Sequence, residues 1–432
     1  MNIAAHTLGC KLNFAETSHL LRTFKEANFN IVGFHEKADI YVINTCTVTA
    51  VAEKKCRNAI RQAISQNSDA TIAVIGCYAQ NEAQKLAQIP GVSIVLGNEN
   101  KHQLFDIIIS QLNGNKKISN NISNTEGPWP FALAYSGDDR TRTFFKIQDG
   151  CDYFCTYCAI PFARGRSRSA TIAETVAMAR EIAASGTHEV VLTGVNTGTF
   201  GLHQGETFID LLRELDKIEG ILRYRISSIE PNLITDEIID FVASSRAFLP
   251  HFHIPLQAGS DKVLKMMHRH YDIQLYANRL EHIKSVMPDA CIAADVITGF
   301  NGEDDETFAQ SKAYIDSLPI SYLHVFPYSD RPNTYALRMP EKVPVPVRKA
   351  RSQELHILSD HKRHAFIESQ LGKSRTVLWE HTIHNATGKP LMQGWTDNYI
   401  RVQRPFDSSL IGVITSHPIT PDTIVQDYAC DD

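Results

Sequence analysis

Cys151, Cys155 and Cys158 stand in CDYFCTYC at C-x3-C-x2-C spacing. A closed zinc site wants four ligands. Three thiols this close leave three chemistries open: zinc with a distant fourth ligand, a redox C-x2-C pair, or an iron–sulfur cluster. A [4Fe–4S] cluster normally takes four thiolates. With three, one iron keeps a vacant position that a small molecule can chelate, much as the open position on a catalytic zinc is the reactive one.

A second set is dispersed: Cys10 in TLGCKLN, Cys46 in INTCTV and Cys77 in VIGCYAQ. Each directly follows a predicted strand. In a parallel α/β sheet all strand C-termini lie on one edge, where ligands bind. Three thiols at three strand ends can therefore converge. Buried cysteine is also common in strands, so convergence is not the sole reading. Cys56 and Cys291 lack partners and read as packing residues; Cys430 falls in an acidic tail.

The elements that must position these thiols alternate. Strands are predicted at 2–8, 39–44, 71–76 and 92–96, with helical patterns at 16–27, 53–65, 82–88 and 103–111. This alternation predicts a Rossmann-like parallel α/β domain. Residues 113–130 are rich in Asn, Ser, Gly and Pro and read as a linker. Strands at 144–147, 189–192, 224–228, 252–255, 291–297 and 322–327, with helices at 172–184, 208–215 and 275–286 among them, predict a partial (βα)6 barrel. VPVPVR, 343–348, reads as an extended spacer because proline disfavours helix. A helix is expected from there to about residue 370. The last ~60 residues show short strands and turns, as in a small β-barrel.

Composition excludes several classes. The 432 residues carry a net charge of −5, 43% hydrophobic and 21% charged residues, ordinary for a globular chain of two or three domains. The N-terminus has no signal-peptide pattern, and no window reaches the ~20 apolar residues of a membrane helix. A cytoplasmic protein is expected. There, nine cysteines argue for metal or catalysis over disulfides.

CDYFCTYC after the first barrel strand resembles the radical S-adenosylmethionine superfamily. TLGCKLNFAET, NTCTVTAVAEKK, RGRSRS, VVLTGVNTGTFG, HIPLQAGSDKVLKMMHR and FPYSDRPNTYA together resemble the methylthiotransferases of that superfamily, over nearly the whole chain. The resemblance implies a cluster-binding domain at 1–112, a linker at 113–136, a radical domain at 137–369 and a TRAM β-barrel at 370–432. It implies two [4Fe–4S] clusters, one on Cys151, Cys155 and Cys158 that binds S-adenosylmethionine at its open iron, and one on Cys10, Cys46 and Cys77 that handles sulfur. The clusters carry the chemistry, and no side chain is assigned a catalytic role.

The resemblance also implies that Tyr157 lies near the adenine and that Thr193, Gly194 and Asn196 contact the methionine amine. Gly194 is expected to allow close backbone approach to a ligand. Ser228, Glu230 and Gln257 end barrel strands at the rim where such folds bind ligands, and are expected on the ribose or the methionine carboxylate. His251 and His253 alternate onto one face and read as structural or rim residues.

Arg164, Arg166 and Arg168 form a comb that suits RNA phosphates if extended. In the C-terminal unit the cations do not outnumber the acids, but Tyr399 and Arg401 offer stacking and phosphate contact.

GCKLN, NTCTVT and LTGVNTGTFG resemble the branch that acts on threonylcarbamoyladenosine in tRNA. Isopentenyladenosine and a ribosomal-protein aspartate are the substrates of the other branches. QAGS in place of Q-S-G-S, and Asn301 in place of proline, depart from the family pattern. Implied partners are a tRNA anticodon stem-loop and a reductant such as flavodoxin or ferredoxin; the sulfur donor is open and a monomer is expected. A zinc-stabilised RNA-binding module and a single-cluster radical enzyme are the competing classes.

Overall fold

The computed structural model describes residues 1–114, 120–121, 129–137, 141–384, 388 and 390–425. Much of the expected linker, and Cys430, lie outside these residues.

The N-terminal sheet is parallel. Its order is Asn30–Val32, Asn2–Thr7, Ile40–Thr45, Thr71–Gly76, Val92–Leu96, Asn120–Asn121. The sequence reading missed Asn30–Val32, a three-residue edge strand with almost no burial signal. Ile40–Thr45 is buried at every position, as expected for a central strand covered by helices on both faces. The chain order 2-1-3-4-5 reverses between the first strand and Ile40–Thr45. Ligands bind at such a reversal, beyond the strand ends. Cys10 and Cys46 flank it, and Cys77 ends the next strand over.

The central domain has six parallel strands in two ladders. Arg142–Lys146, Glu189–Thr193 and Arg223–Ile226 form one, with Ala134–Tyr135 added antiparallel at its edge. His251–His253, Cys291–Thr298 and Tyr322–Pro327 form the other. The ladders touch through a Tyr224–Phe248 bridge and the Ile229 N–H donating to the His253 carbonyl at 3.1 Å. The expected partial barrel is present, with this seam in it. Its main core lies between strands and outer helices, which leaves the inner face free for polar groups. Asn301, 0% exposed, donates from Nδ2 to the Ala336 carbonyl at 2.7 Å and so ties two rim loops.

One reading is corrected. VPVPVR is not a spacer: helix Val345–Glu368 begins inside it. Pro344 is its N-cap and Pro346 sits in the first turn, where no intrahelical N–H bond is lost.

The C-terminal unit is a four-stranded antiparallel sheet, ordered Arg401–Pro405, Pro390–Thr396, Ser374–His384, Ile414–Pro418. It docks on the barrel through buried charge. Glu189 accepts from Arg225 at 2.6 Å and Arg223 at 3.3 Å, and all three are 2% exposed or less. Arg225 donates onward to the carbonyls of Thr396 and Asp397, and Arg223 to that of Trp395. Glu189→Ala would leave two guanidinium groups buried without a counter-charge. A loss of about 3–5 kcal/mol is expected, read as a lower urea midpoint.

Candidate active site between two cysteine triplets

Each thiol of the dispersed set is held by its own local device. Gly9 and Gly76 precede Cys10 and Cys77 with φ of +99° and +98°. A Cβ on Gly9 would lie 2.9 Å from the Cys46 Sγ, and one on Gly76 would lie 2.4 Å from the Asn44 Oδ1. Only glycine allows strands this close to turn there. Cys10 then caps helix Lys11–Glu26, and Cys77 opens the short helix Cys77–Asn81. Cys46 lies in the loop before helix Ala50–Gln66, whose N-cap Thr49 accepts from the Ala52 N–H.

The structure brings Cys10, Cys46 and Cys77 together. Each acts electrostatically on another, and burial followed by Cys77 and Cys10 pushes the Cys46 thiol up to about 12. Cys10 remains exposed, yet the protein around it still raises its thiol. Cys56 is more than filler. Its Sγ accepts from the Cys46 N–H at 3.4 Å and its thiol faces the Cys46 carbonyl at 3.6 Å, so it backs that ligand loop. Asn98 donates to the Cys77 Sγ at 3.4 Å and to the Ala163 carbonyl at 2.7 Å, which links this set to the central domain.

The compact triplet follows strand Arg142–Lys146. Its loop is fixed by Thr156, whose N–H donates to the Met267 carbonyl and whose hydroxyl donates to that of Met266. Burial pushes Cys151 up to about 12 and raises Cys155 and Cys158. Arg269 was missed by sequence reasoning, although it closes the HIPLQAGSDKVLKMMHR motif. It donates to the Cys155 Sγ at 3.0 Å, to the Tyr157 hydroxyl at 3.3 Å and to Glu230. Glu230 is raised by burial, with Arg269 opposing. Tyr157 is half-buried and packs edge-on against Phe300.

The remaining predicted ligands fall into two groups. Asn196 is 2% exposed, and neither of its side-chain polar atoms has a partner among the described residues. A buried orphan amide is costly unless a ligand meets it. Gln257 has φ of +66° and lines the cavity described below. Ser228 instead offers its carbonyl to Thr197, and the Thr193 hydroxyl is spent on the Val191 carbonyl. Gly194 also has a packing role within the protein. A Cβ there would lie 2.8 Å from the Gln148 Oε1, so the missing side chain makes room for Gln148. Gln148 accepts from the N–H groups of Val195 and Asn196 and pins that loop to the cysteine loop.

The arginine comb is also corrected. Arg164 is 1% exposed and points inward, and only Arg166 faces solvent, at 72%. Arg164 donates to Asp149 at 2.8 Å, to the Asn13 Oδ1 at 2.5 Å and to Glu16 at 3.4 Å. Arg168 donates to Asp149 at 3.2 Å. Lys146 contacts Asp149 and Glu16 at 2.8 and 2.7 Å, and Lys101 pairs with Glu16. Four cations thus surround two carboxylates. The cations hold both acids well below the usual range. The excess positive charge sits beside Cys10 and Cys77, which both act on Arg164. Tyr399 is likewise occupied, stacked between His251 and Trp395 at 4.2 and 4.4 Å. It is not a free platform for a base. Arg401 lies 5.8 Å from the Trp395 ring centre.

Between the Cys46 loop and the compact triplet lies a cavity of about 180 Å3. Val48 and Thr49 line it from the Cys46 loop, Tyr157 and Cys158 from the compact triplet, and Gln257, Asp295 and Ile297 from the barrel. Arg331 closes one side, donating to Glu53 at 2.7 Å and to the Thr47 carbonyl at 3.2 Å. Two sets of three soft thiols, with Cys56 behind Cys46 and turned to its backbone, fit iron–sulfur clusters with one iron open to a ligand.

Residues 2–97 match the model described as uncharacterized protein family UPF0004, and residues 145–315 match the radical SAM superfamily. The fold is similar to the radical S-adenosylmethionine methyltransferase TsrM from Kitasatospora setae, with TM-score 0.55, 13% identity, and 75% and 72% of the two chains covered. Threonylcarbamoyladenosine tRNA methylthiotransferase MtaB of Bacillus subtilis (strain 168) is 40% identical, over 95% of this chain and 92% of that one. The tRNA-2-methylthio-N(6)-dimethylallyladenosine synthase of Pelotomaculum thermopropionicum is 31% identical over 95% and 93%. The protein is therefore a radical S-adenosylmethionine protein with an added N-terminal cysteine domain. The chain belongs to the methylthiotransferase family, in its MtaB branch.

Two outcomes are expected. Arg164→Ala removes charged hydrogen bonds to Asp149 and Asn13 while Lys101, Lys146 and Arg168 still answer the two acids, and should cost about 1.5–3 kcal/mol in denaturant unfolding. In the metal-free chain the thiolate is the nucleophile, and a thiol near pKa 12 is only roughly one part in ten thousand ionised at pH 8. Iodoacetamide should therefore label Cys46 and Cys151 far more slowly than a free cysteine at pH 8. The rate should rise about tenfold per pH unit up to pH 11, followed by mass spectrometry.

Proposed function

We propose that this chain methylthiolates C2 of N6-threonylcarbamoyladenosine at position 37 of tRNA. The observation that carries the reading is a cavity lined both by Cys158 of the compact triplet and by Val48 and Thr49 of the loop that carries Cys46. The 40% identical relative named for that activity supports the choice of substrate. Cys151, Cys155 and Cys158 would hold one [4Fe–4S] cluster, and Cys10, Cys46 and Cys77 the other. When bound, these clusters and S-adenosylmethionine supply one-electron cleavage of the sulfonium and an activated sulfur.

The protein's own work is placement and exclusion of water. Arg269 neutralises charge at the Cys155 sulfur and fixes Glu230 and Tyr157 around the cofactor side. The orphan amide of Asn196 and the side chain of Gln257 are the polar groups offered to S-adenosylmethionine or substrate. Val48, Ile160, Ile297 and Phe326 supply apolar wall to the cavity. Asn98 and the Arg164 network hold the second triplet across from the first. Arg166 and Arg401 are the retained candidates for phosphate contact. The C-terminal sheet is read as the family's TRAM module for the anticodon stem-loop, and a low-potential flavodoxin or ferredoxin as the reductant.

Two measurements test the reading. Reconstituted protein should hold about eight irons per chain, two four-iron clusters. It should convert threonylcarbamoyladenosine in tRNA to its methylthio form and leave isopentenyladenosine unchanged, by nucleoside mass spectrometry. Cys46→Ala should keep about four irons and still cleave S-adenosylmethionine, with no methylthio product. Product formation by Cys46→Ala would contradict the two-cluster assignment.

A further inference from the structure

Three side chains on the inner face of the barrel have no role in the chemistry above. His253, Asp295 and His324 stand on three neighbouring strands, and Asp295 is in register with His324. The His253 Nε2 lies 2.8 Å from an Asp295 carboxylate oxygen, and the two imidazole centres are 5.2 Å apart. One ligand-type atom from each of the three falls within 4.8 Å of the others. All three residues are half-buried.

Their position ties them to the cavity. Asp295 lines it, as do Ile297 and Phe326. Residues two apart on a strand share a face, so His324 stands on the same face as Phe326, and His253 reaches it through Asp295. Asp295 therefore stands on the cavity wall, and His253 and His324 adjoin it on the same inner face.

The local charge indicates what they would accept. Besides burial, the groups that depress neighbouring His251 include Arg225, Lys11, His253 and His324, all of them cationic or able to become so. Asp295 and Glu230 act on one another, and Glu230 is answered by Arg269, so the imidazoles and Lys11 are the groups left to meet a further negative charge. Such a field, with imidazole N–H donors in it, favours an anion. A purely hydrocarbon arm on the substrate would desolvate these groups and return nothing, and sites built to hydrogen-bond reject such analogues strongly.

We propose that His253 and His324 receive the carboxylate of an amino-acid arm on N6 of the substrate adenosine, while Asp295 orients His253 and accepts from the arm's hydroxyl or urea N–H. This rests on the reading that the cavity holds that adenosine. The three residues determine specificity and take no part in the bond-making steps.

The test uses the reconstituted full chain and two anticodon stem-loop RNAs, one carrying threonylcarbamoyladenosine and one its uncharged methyl ester. The kcat/KM of methylthiolation is measured for each by nucleoside mass spectrometry. Wild-type protein is expected to prefer the acid at least tenfold, mainly through KM. His324→Phe should bring the acid-to-ester ratio close to one, and His324→Gln, which keeps an N–H donor, should recover part of it. Iron content reports whether each variant is folded and loaded. An unchanged ratio in both His324→Phe and Asp295→Asn overturns the proposal. Wild-type turnover of the acid with no preference over the ester also overturns it and leaves the proposed function standing. Wild-type failure on both RNAs overturns the function and this proposal together.

Discussion

The arrangement depends on one buried ion network. Arg164 and Asp149 come from the central domain, Glu16 and Lys101 from the N-terminal domain, and Lys146 reaches both acids. Charges this deep are tolerated only when each is paired and hydrogen-bonded. That requirement fixes the two domains in one relation, because Glu16 answers Lys146 and Arg164 across the boundary, and without it the central domain would hold three cations against Asp149 alone. The fixed relation brings the loop after Cys46 and the compact-triplet loop onto one cavity. Arg331 does the same on the far side of the cavity by holding Glu53 and the Thr47 carbonyl.

The network also sets the electrostatics of the second triplet. Lys101, Lys146, Arg164 and Arg168 outnumber Glu16 and Asp149, and the surplus lies beside thiols that must ionise to bind iron. Burial alone opposes that ionisation, as the raised thiols show. Arg269 has the matching role at the compact triplet, one guanidinium at a thiol sulfur. The two centres thus use one physical solution, an arginine against buried thiols, delivered from different elements.

Much of the fold was legible in the sequence. Periodicity located Thr71–Gly76, Val92–Leu96, Ile172–Ala184 and Tyr322–Pro327 with the observed bounds. VPVPVR misled because proline is a helix breaker only past the first turn. Arg164 misled for a related reason. Residue type gave its charge, but the carboxylates that take it up lie on other elements. The spacing of RGRSRS suggested an extended comb. The turn at Gly165 and the pull of Asp149 instead sent Arg164 inward and left Arg166 outside.

By itself the sequence determined the spacing of the compact thiols, the strand-end placement of the dispersed ones and the family, because these follow from residue identity and local period. Only the tertiary structure decided which polar residues face the cavity and which are consumed in holding it together. His253, Asp295 and His324 are 71 residues apart at their extremes and meet only because their strands are neighbours. Tyr399 looked free in NYIRV and is stacked between two rings from different parts of the chain. Burial and partnership depend on contacts between distant segments, and local sequence carries no record of them.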